Sequence, residues 1–304
     1  RGILLVSGPT RTAQVRRMTD LSPIEDLIVL FLAALVPALI YLAWVRGSEQ
    51  SGPEPWGPLL SAFAFGALFA TFVAAILESI IVAGGAAIGQ YYPSPEFTFL
   101  NPSSQLSLFF LVLVVAPFIE EALKAGGVAR HSDAIRRLAD GPVVGASVGL
   151  GFGFFETFLY GLGAFLAGGL VAGLGLIIVR SLSSVLLHGS STAMFGYGYA
   201  KGRFNFGGAE GGSYYGLAVL MHASFNALAS LGSIAIALGY HGTVGNYADA
   251  LGLVLAIVFA IAAINHVVTV IHESAFPSAG GSTSRYRPPT IPRRPPAGAV
   301  PGRR

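Results

Sequence analysis

Apolar stretches of about 18 residues or more recur along this chain, and no other feature restricts its fold so strongly. Each is long enough to cross a hydrocarbon layer of about 30 Å as a helix. In lipid, only helices and closed barrels satisfy their own backbone. The runs are continuous and rich in Leu, Ala, Gly and Phe, where a barrel would need short alternating strands. Of the 304 residues, 53% are hydrophobic and 11% charged, against about 25% charged in an ordinary soluble domain. The sequence therefore predicts an all-α fold: a polytopic transmembrane helix bundle.

Candidate spans fall near 24–45, 58–83, 105–127, 142–161, 164–179, 182–200, 213–238 and 250–271, about seven or eight in all. An N-terminal arm, 1–23, has too short an apolar core for a secretory signal. Residues 24–273 form the membrane domain, and the Pro-, Gly- and Arg-rich tail 274–304 cannot bury a core and is expected to be disordered. The positive-inside rule separates two topologies. Eight spans place Arg130, Arg136 and Arg137 outside. Seven, with 164–179 re-entrant or interfacial, place that basic loop, Lys201, Arg203 and the tail inside and the arm outside. The seven-span arrangement confines its exceptions to one terminus and is preferred. The chain has no cysteine, so disulfides, thiolate metal sites and thiol nucleophiles are excluded. The net charge of +3 comes mostly from terminal arginines and does not point to nucleic acid.

The informative residues are the polar ones inside the spans. An ionisable side chain at the bilayer centre costs at least about 2.5 kcal/mol, so such groups face a bundle interior and mark a site. The third span carries Glu120, Glu121 and Lys124 in "FIEEALKAGG"; the fourth carries Glu156; His188 lies in "LLHGSSTAMFGYG", and His222 and Asn226 in "LMHASFNAL". Residues four apart share a helix face, which pairs Glu120 with Lys124, Glu156 with Tyr160, His188 with Thr192, and His222 with Asn226. Four helices that point acids and imidazoles inward make a site. Lys124 can neutralise one glutamate of the pair and leave the other to act as a general base on water, while His222 and Asn226 could donate to an oxyanion. Glu78 is an isolated carboxylate in the second span, as easily structural as functional; His266 and His272 read as packing residues.

Other chemistries fit less well. "GASVG" (145–149) satisfies G-x-S-x-G, but it lies in a run of seven glycines between Gly141 and Gly163 that suits close helix packing. Asp140 sits at a helix mouth with no second membrane aspartate for an aspartyl protease. A proton- or cation-coupled transporter or channel could use the same acids and histidines, though a relay spreads them along a path whereas a hydrolase gathers them at one depth. A non-catalytic scaffold explains none of the intramembrane charges.

In order and spacing, "PFIEEALK", "GASVGLGFGFFETFLY", "RSLSSVLLHGSSTAMFGYGYAKGRF" and "HASFNAL" resemble the PrsW family of intramembrane proteases, related to the CAAX prenyl protease and bacteriocin-processing superfamily. The resemblance spans roughly residues 30–240. It implies a cell-membrane, multi-pass protease acting on a membrane-anchored protein substrate within the lipid bilayer. Glu120, Glu121, Glu156, His188, His222 and Asn226 match its catalytic positions, and Lys124, Phe152, Tyr160, Arg180 and Thr192 would support them. Thr157 stands where the family often has Asn. Two mechanisms fit: zinc held by His188, His222 and a glutamate, Glu121 first, or metal-free activation of water by a glutamate. The HExxH spacing of many zinc proteases is absent.

Overall fold

The computed structural model describes residues 22–50, 52–92, 104–204 and 210–275. Most of the expected arm and tail, and of the loop 90–105, lies outside these. Pro23 and Ser274, placed by sequence in the arm and tail, belong to helices. All described secondary structure is helical.

Helix α1, Pro23–Gly47, starts at a capping box in which Ser22 and Glu25 exchange side-chain to backbone bonds. It buries the stripe Leu30, Ala34, Ala38, Leu42 at a spacing of four. Helix α2, Trp56–Tyr91, and helix α3, Gln105–Arg130, each contain one π-helical segment, Phe65–Ala70 and Leu111–Val115. Such segments leave carbonyls without their usual partners. The Thr71 hydroxyl donates to Gly66 O at 3.0 Å, and the Asn226 amide donates to Val112 O at 2.8 Å.

Helix α4, Asp140–Ser181, and helix α5, Ser184–Arg203, form the centre of the molecule. The 64 residues from Asp140 to Arg203 would stretch about 96 Å as one rod, three bilayer cores, so the stretch must fold back. It does so at Gly169, whose φ of 77° is open to glycine at little cost. The returning leg runs antiparallel to the first: Gly141 packs on Gly196, Gly145 on Thr192, Gly149 on His188 and Gly161 on Ile177. At Gly141, Gly145 and Gly149 a Cβ would collide with the opposing backbone carbonyl. The "GASVG" stretch is thus helix packing, as its glycine content suggests.

Helix α6, Glu210–Ala229, bends by 65° into helix α7, Leu231–Ala237, and helix α8, Thr243–Ala275, closes the bundle. Among the described residues, five helices are long and apolar enough to cross a membrane, or six with the α6–α7 pair. Because the 140–203 stretch is a hairpin with two legs, the described residues form seven long legs. Residues 164–179, a span of their own only in the eight-span arrangement, do not form a separate one. Those residues are the hairpin tip, and their hydropathy alone could not show where the chain reverses.

The ends of the legs differ in charge. At one end the loop 48–55 lies on the loop 131–140, where Arg136 pairs with Glu54 at 3.0 Å and Arg137 with Asp140 at 2.7 Å. Arg46, Arg130, Lys201 and Arg203 share that end, where α1, α3 and α5 finish. Among the described residues, the opposite end carries no lysine or arginine.

Candidate functional site

Adjacent residues on a helix point about 100° apart, so Glu120 and Glu121 enter the interior in different directions. Lys124, one turn on and fully buried, reaches both: its Nζ lies 2.8 Å from Glu121 Oε1 and 3.4 Å from Glu120 Oε2. The same ammonium is 2.9 Å from His188 Nδ1. An ammonium only donates, so Nδ1 accepts and the ring proton is assigned to Nε2. That nitrogen is 2.8 Å from Glu156 Oε2.

Glu156 and Glu121 each orient an imidazole. Glu156 also takes Arg180 at 2.7 Å, and that guanidinium lies 4.0 Å over the Tyr160 ring. Glu121 Oε1 accepts from Ser191 Oγ at 3.1 Å and from His222 Nδ1 at 3.0 Å. The lone pair of His222 is thereby left on Nε2, 3.9 Å from Glu120 Oε2, while His188 Nδ1 is 4.0 Å from the same oxygen. The two rings meet edge to face at 4.9 Å. Phe152 floors the cluster, with Lys124 Nζ 4.2 Å from its ring centroid. Burying charges like these is tolerable only when they are paired and hydrogen-bonded. Three carboxylates face two fixed cations here, so one more positive charge, such as a proton, balances the group.

Of the residues singled out from sequence, Glu120, Glu121, Lys124, Phe152, Glu156, Tyr160, Arg180, His188 and His222 form one contiguous network. Among the described residues Asn226 is not joined to that network; its amide nitrogen donates one hydrogen bond to Val112 O. Thr192 is buried, and its hydroxyl has no hydrogen-bond partner among the described residues. Ser191 was not anticipated. Its position three residues after His188 puts it on the inward face, and that spacing was the available signal.

The donors fit a divalent metal. Glu120, His188 and His222 each offer one atom, all within 4.8 Å of one another; zinc takes these ligand types, and both histidines have the carboxylate behind them that metal-bound histidines ordinarily have. The carboxylate of this group is Glu120. Glu121, expected from sequence as a ligand, points instead at Lys124, Ser191 and His222 Nδ1.

Comparison with known families agrees with this geometry. Residues 54–264, more than two thirds of the chain, match the description PrsW family intramembrane metalloprotease. The chain belongs to this family. Membership in the PrsW family identifies a multi-pass membrane protein of an intramembrane protease family, whose substrates are membrane proteins. No curated protein and no solved structure matches the chain.

Proposed function

We propose that the chain is an intramembrane endopeptidase of the cell membrane, cutting a membrane-anchored protein with water activated by Glu120. One observation carries this reading. Glu120 Oε2 stands 3.9 Å from His222 Nε2, the nitrogen that keeps its lone pair, too far for a direct hydrogen bond and open to one bridging water.

Glu120 would take a proton from that water as its oxygen bonds to the scissile carbonyl carbon. The carbonyl oxygen becomes an oxyanion, with the Lys124 ammonium as the nearest fixed positive charge. Glu120 then returns the proton to the departing amide nitrogen as the C–N bond breaks, leaving a carboxylic acid and an amine. His222 holds the water through Nε2 and is oriented by Glu121 at Nδ1, while His188, engaged by Lys124 and Glu156, keeps the ammonium in place. Asn226, whose amide is engaged, supports the adjoining π-helical turn.

A second reading rests on the Glu120, His188 and His222 donor set and on the family description. A bound zinc ion would supply Lewis-acid polarisation of the water and the carbonyl. For those residues to hold it, Lys124 must release His188 Nδ1. The transporter reading is less well supported, because the buried acids and imidazoles gather in one connected network rather than along a path.

The positive-inside rule assigns the arginine-bearing end to the cytoplasm and the start of α1 to the other side. A peptidomic comparison of membranes carrying the active chain and the Glu120→Gln chain tests the function. Fragments ending inside hydrophobic segments are expected with the active chain alone; identical peptidomes would contradict the proposal.

A further inference from the structure

The network above leaves one acid of the bundle interior unused. Glu78 lies on α2, one turn beyond Ala74 and two beyond Ala70, and those two alanines pack on Phe152 of α4. Helices α2 and α4 run in the same direction, with Phe63 against Gly151 and Phe72 against Phe155. One turn past Phe152 is Glu156. Glu78 and Glu156 therefore occupy matching positions beyond the same contact, and Glu78 is within electrostatic reach of Glu156, Lys124, Glu120 and Tyr160.

Two observations give this position a role. Glu78 Oε1 is buried and has no hydrogen-bond partner among the described residues. A buried acceptor left that way is costly, and water is the partner that relieves it. Exposure also rises along the network toward Glu78: the side chains of Lys124 and Glu121 are 0% and 1% exposed, those of Glu156 and Arg180 18% and 17%, and Tyr160 is 53% exposed. Residues 75–92 of the α2 region and 104–115 at the start of α3 include no buried residue.

We propose that Glu78 lines a water-filled mouth, with Glu156, Arg180 and Tyr160, that opens toward the end without arginines and delivers the hydrolytic water. The inference rests on the protease reading for its purpose but not for its geometry. Hydrolysis at this depth consumes one water per bond cut, and that water must reach Glu120 through hydrocarbon. A carboxylate with a free acceptor at the wider end of a polar network provides the polar lining such a route needs.

The chain has no native cysteine, so single cysteines report without background. Glu78→Cys, Ala74→Cys (buried) and Ile76→Cys (lipid-facing) are compared in sealed vesicles of known orientation, using a negatively charged, membrane-impermeant methanethiosulfonate. Glu78→Cys should label at least tenfold faster than both controls, and only from the side opposite the arginine-bearing end. Labelling only from the arginine side overturns the mouth, and so does labelling no faster than Ile76→Cys at both Glu78→Cys and Tyr160→Cys. Because removing the carboxylate could itself close the route, Tyr160→Cys is labelled with Glu78 intact and again with Glu78→Leu. Fast labelling that slows severalfold in the double variant supports the role, and no difference between the two overturns it. None of these readouts requires proteolysis, so a failed cleavage assay and a failed mouth remain distinguishable.

Discussion

Lys124 Nζ lies 2.9 Å from His188 Nδ1, joining α3 to the returning leg of the central hairpin across 64 residues of sequence. The same ammonium holds Glu120 and Glu121, so a single buried cation ties together the two acids of one helix and the imidazole of another. Its removal leaves like charges facing each other in a dry interior.

Lys124→Met should therefore destabilise the protein by about 3–5 kcal/mol, the range for breaking one partner out of a buried ion pair. Thermal unfolding in detergent reads this directly. An unchanged midpoint would mean the glutamates find compensation elsewhere.

The hairpin depends on backbone contact. Gly149→Ala would drive a methyl group into the His188 carbonyl, forcing the legs apart at the level of the site, at a cost of about 1–3 kcal/mol. Gly163→Ala meets nothing within 4 Å and should be close to neutral. Equal thermal midpoints for the two variants would refute the close approach.

At the arginine-bearing end, burial, and after it the Asp140 charge, push the Glu54 carboxyl above its usual range, against the opposing pull of Arg136 and Arg137. A raised acid binds its proton more tightly in the folded state. Its stabilising contribution is full below the ordinary carboxylate range and is lost as pH rises through the raised value. Glu54→Gln should flatten that part of the pH–stability curve. An unaltered curve would show that Glu54 does not titrate with folding.

Metal dependence separates the two readings of water activation. With Lys124 as the resident cation, dialysis against a zinc chelator should leave the cleavage rate unchanged. A loss of cleavage restored by zinc would instead assign Glu120, His188 and His222 to a metal centre.

Much of this was readable from spacing. The i, i+4 pairs placed Glu120 beside Lys124, and the insertion penalty correctly marked Glu156, His188 and His222 as inward-facing. Three things were not readable. The chain reverses at Gly169 amid uniform hydropathy, and only a backbone angle reveals it. Sequence cannot tell which of two adjacent glutamates lies between the two imidazoles and which stands behind one of them, because that depends on the rotation of α3 about its axis. Asn226 looked like an oxyanion donor because its partner, a carbonyl freed by a π-helical turn at Val112, has no sequence signature.

The cleavage rate of a substrate found in the peptidomic comparison, followed in liposomes with Glu120→Gln and Glu121→Gln beside the parent chain, tests the role of Glu120 most directly. Glu120→Gln should keep the parent's thermal midpoint and lose activity by about 10²–10⁴-fold, the usual contribution of a general base. Cleavage by Glu120→Gln at the parent rate would contradict the account.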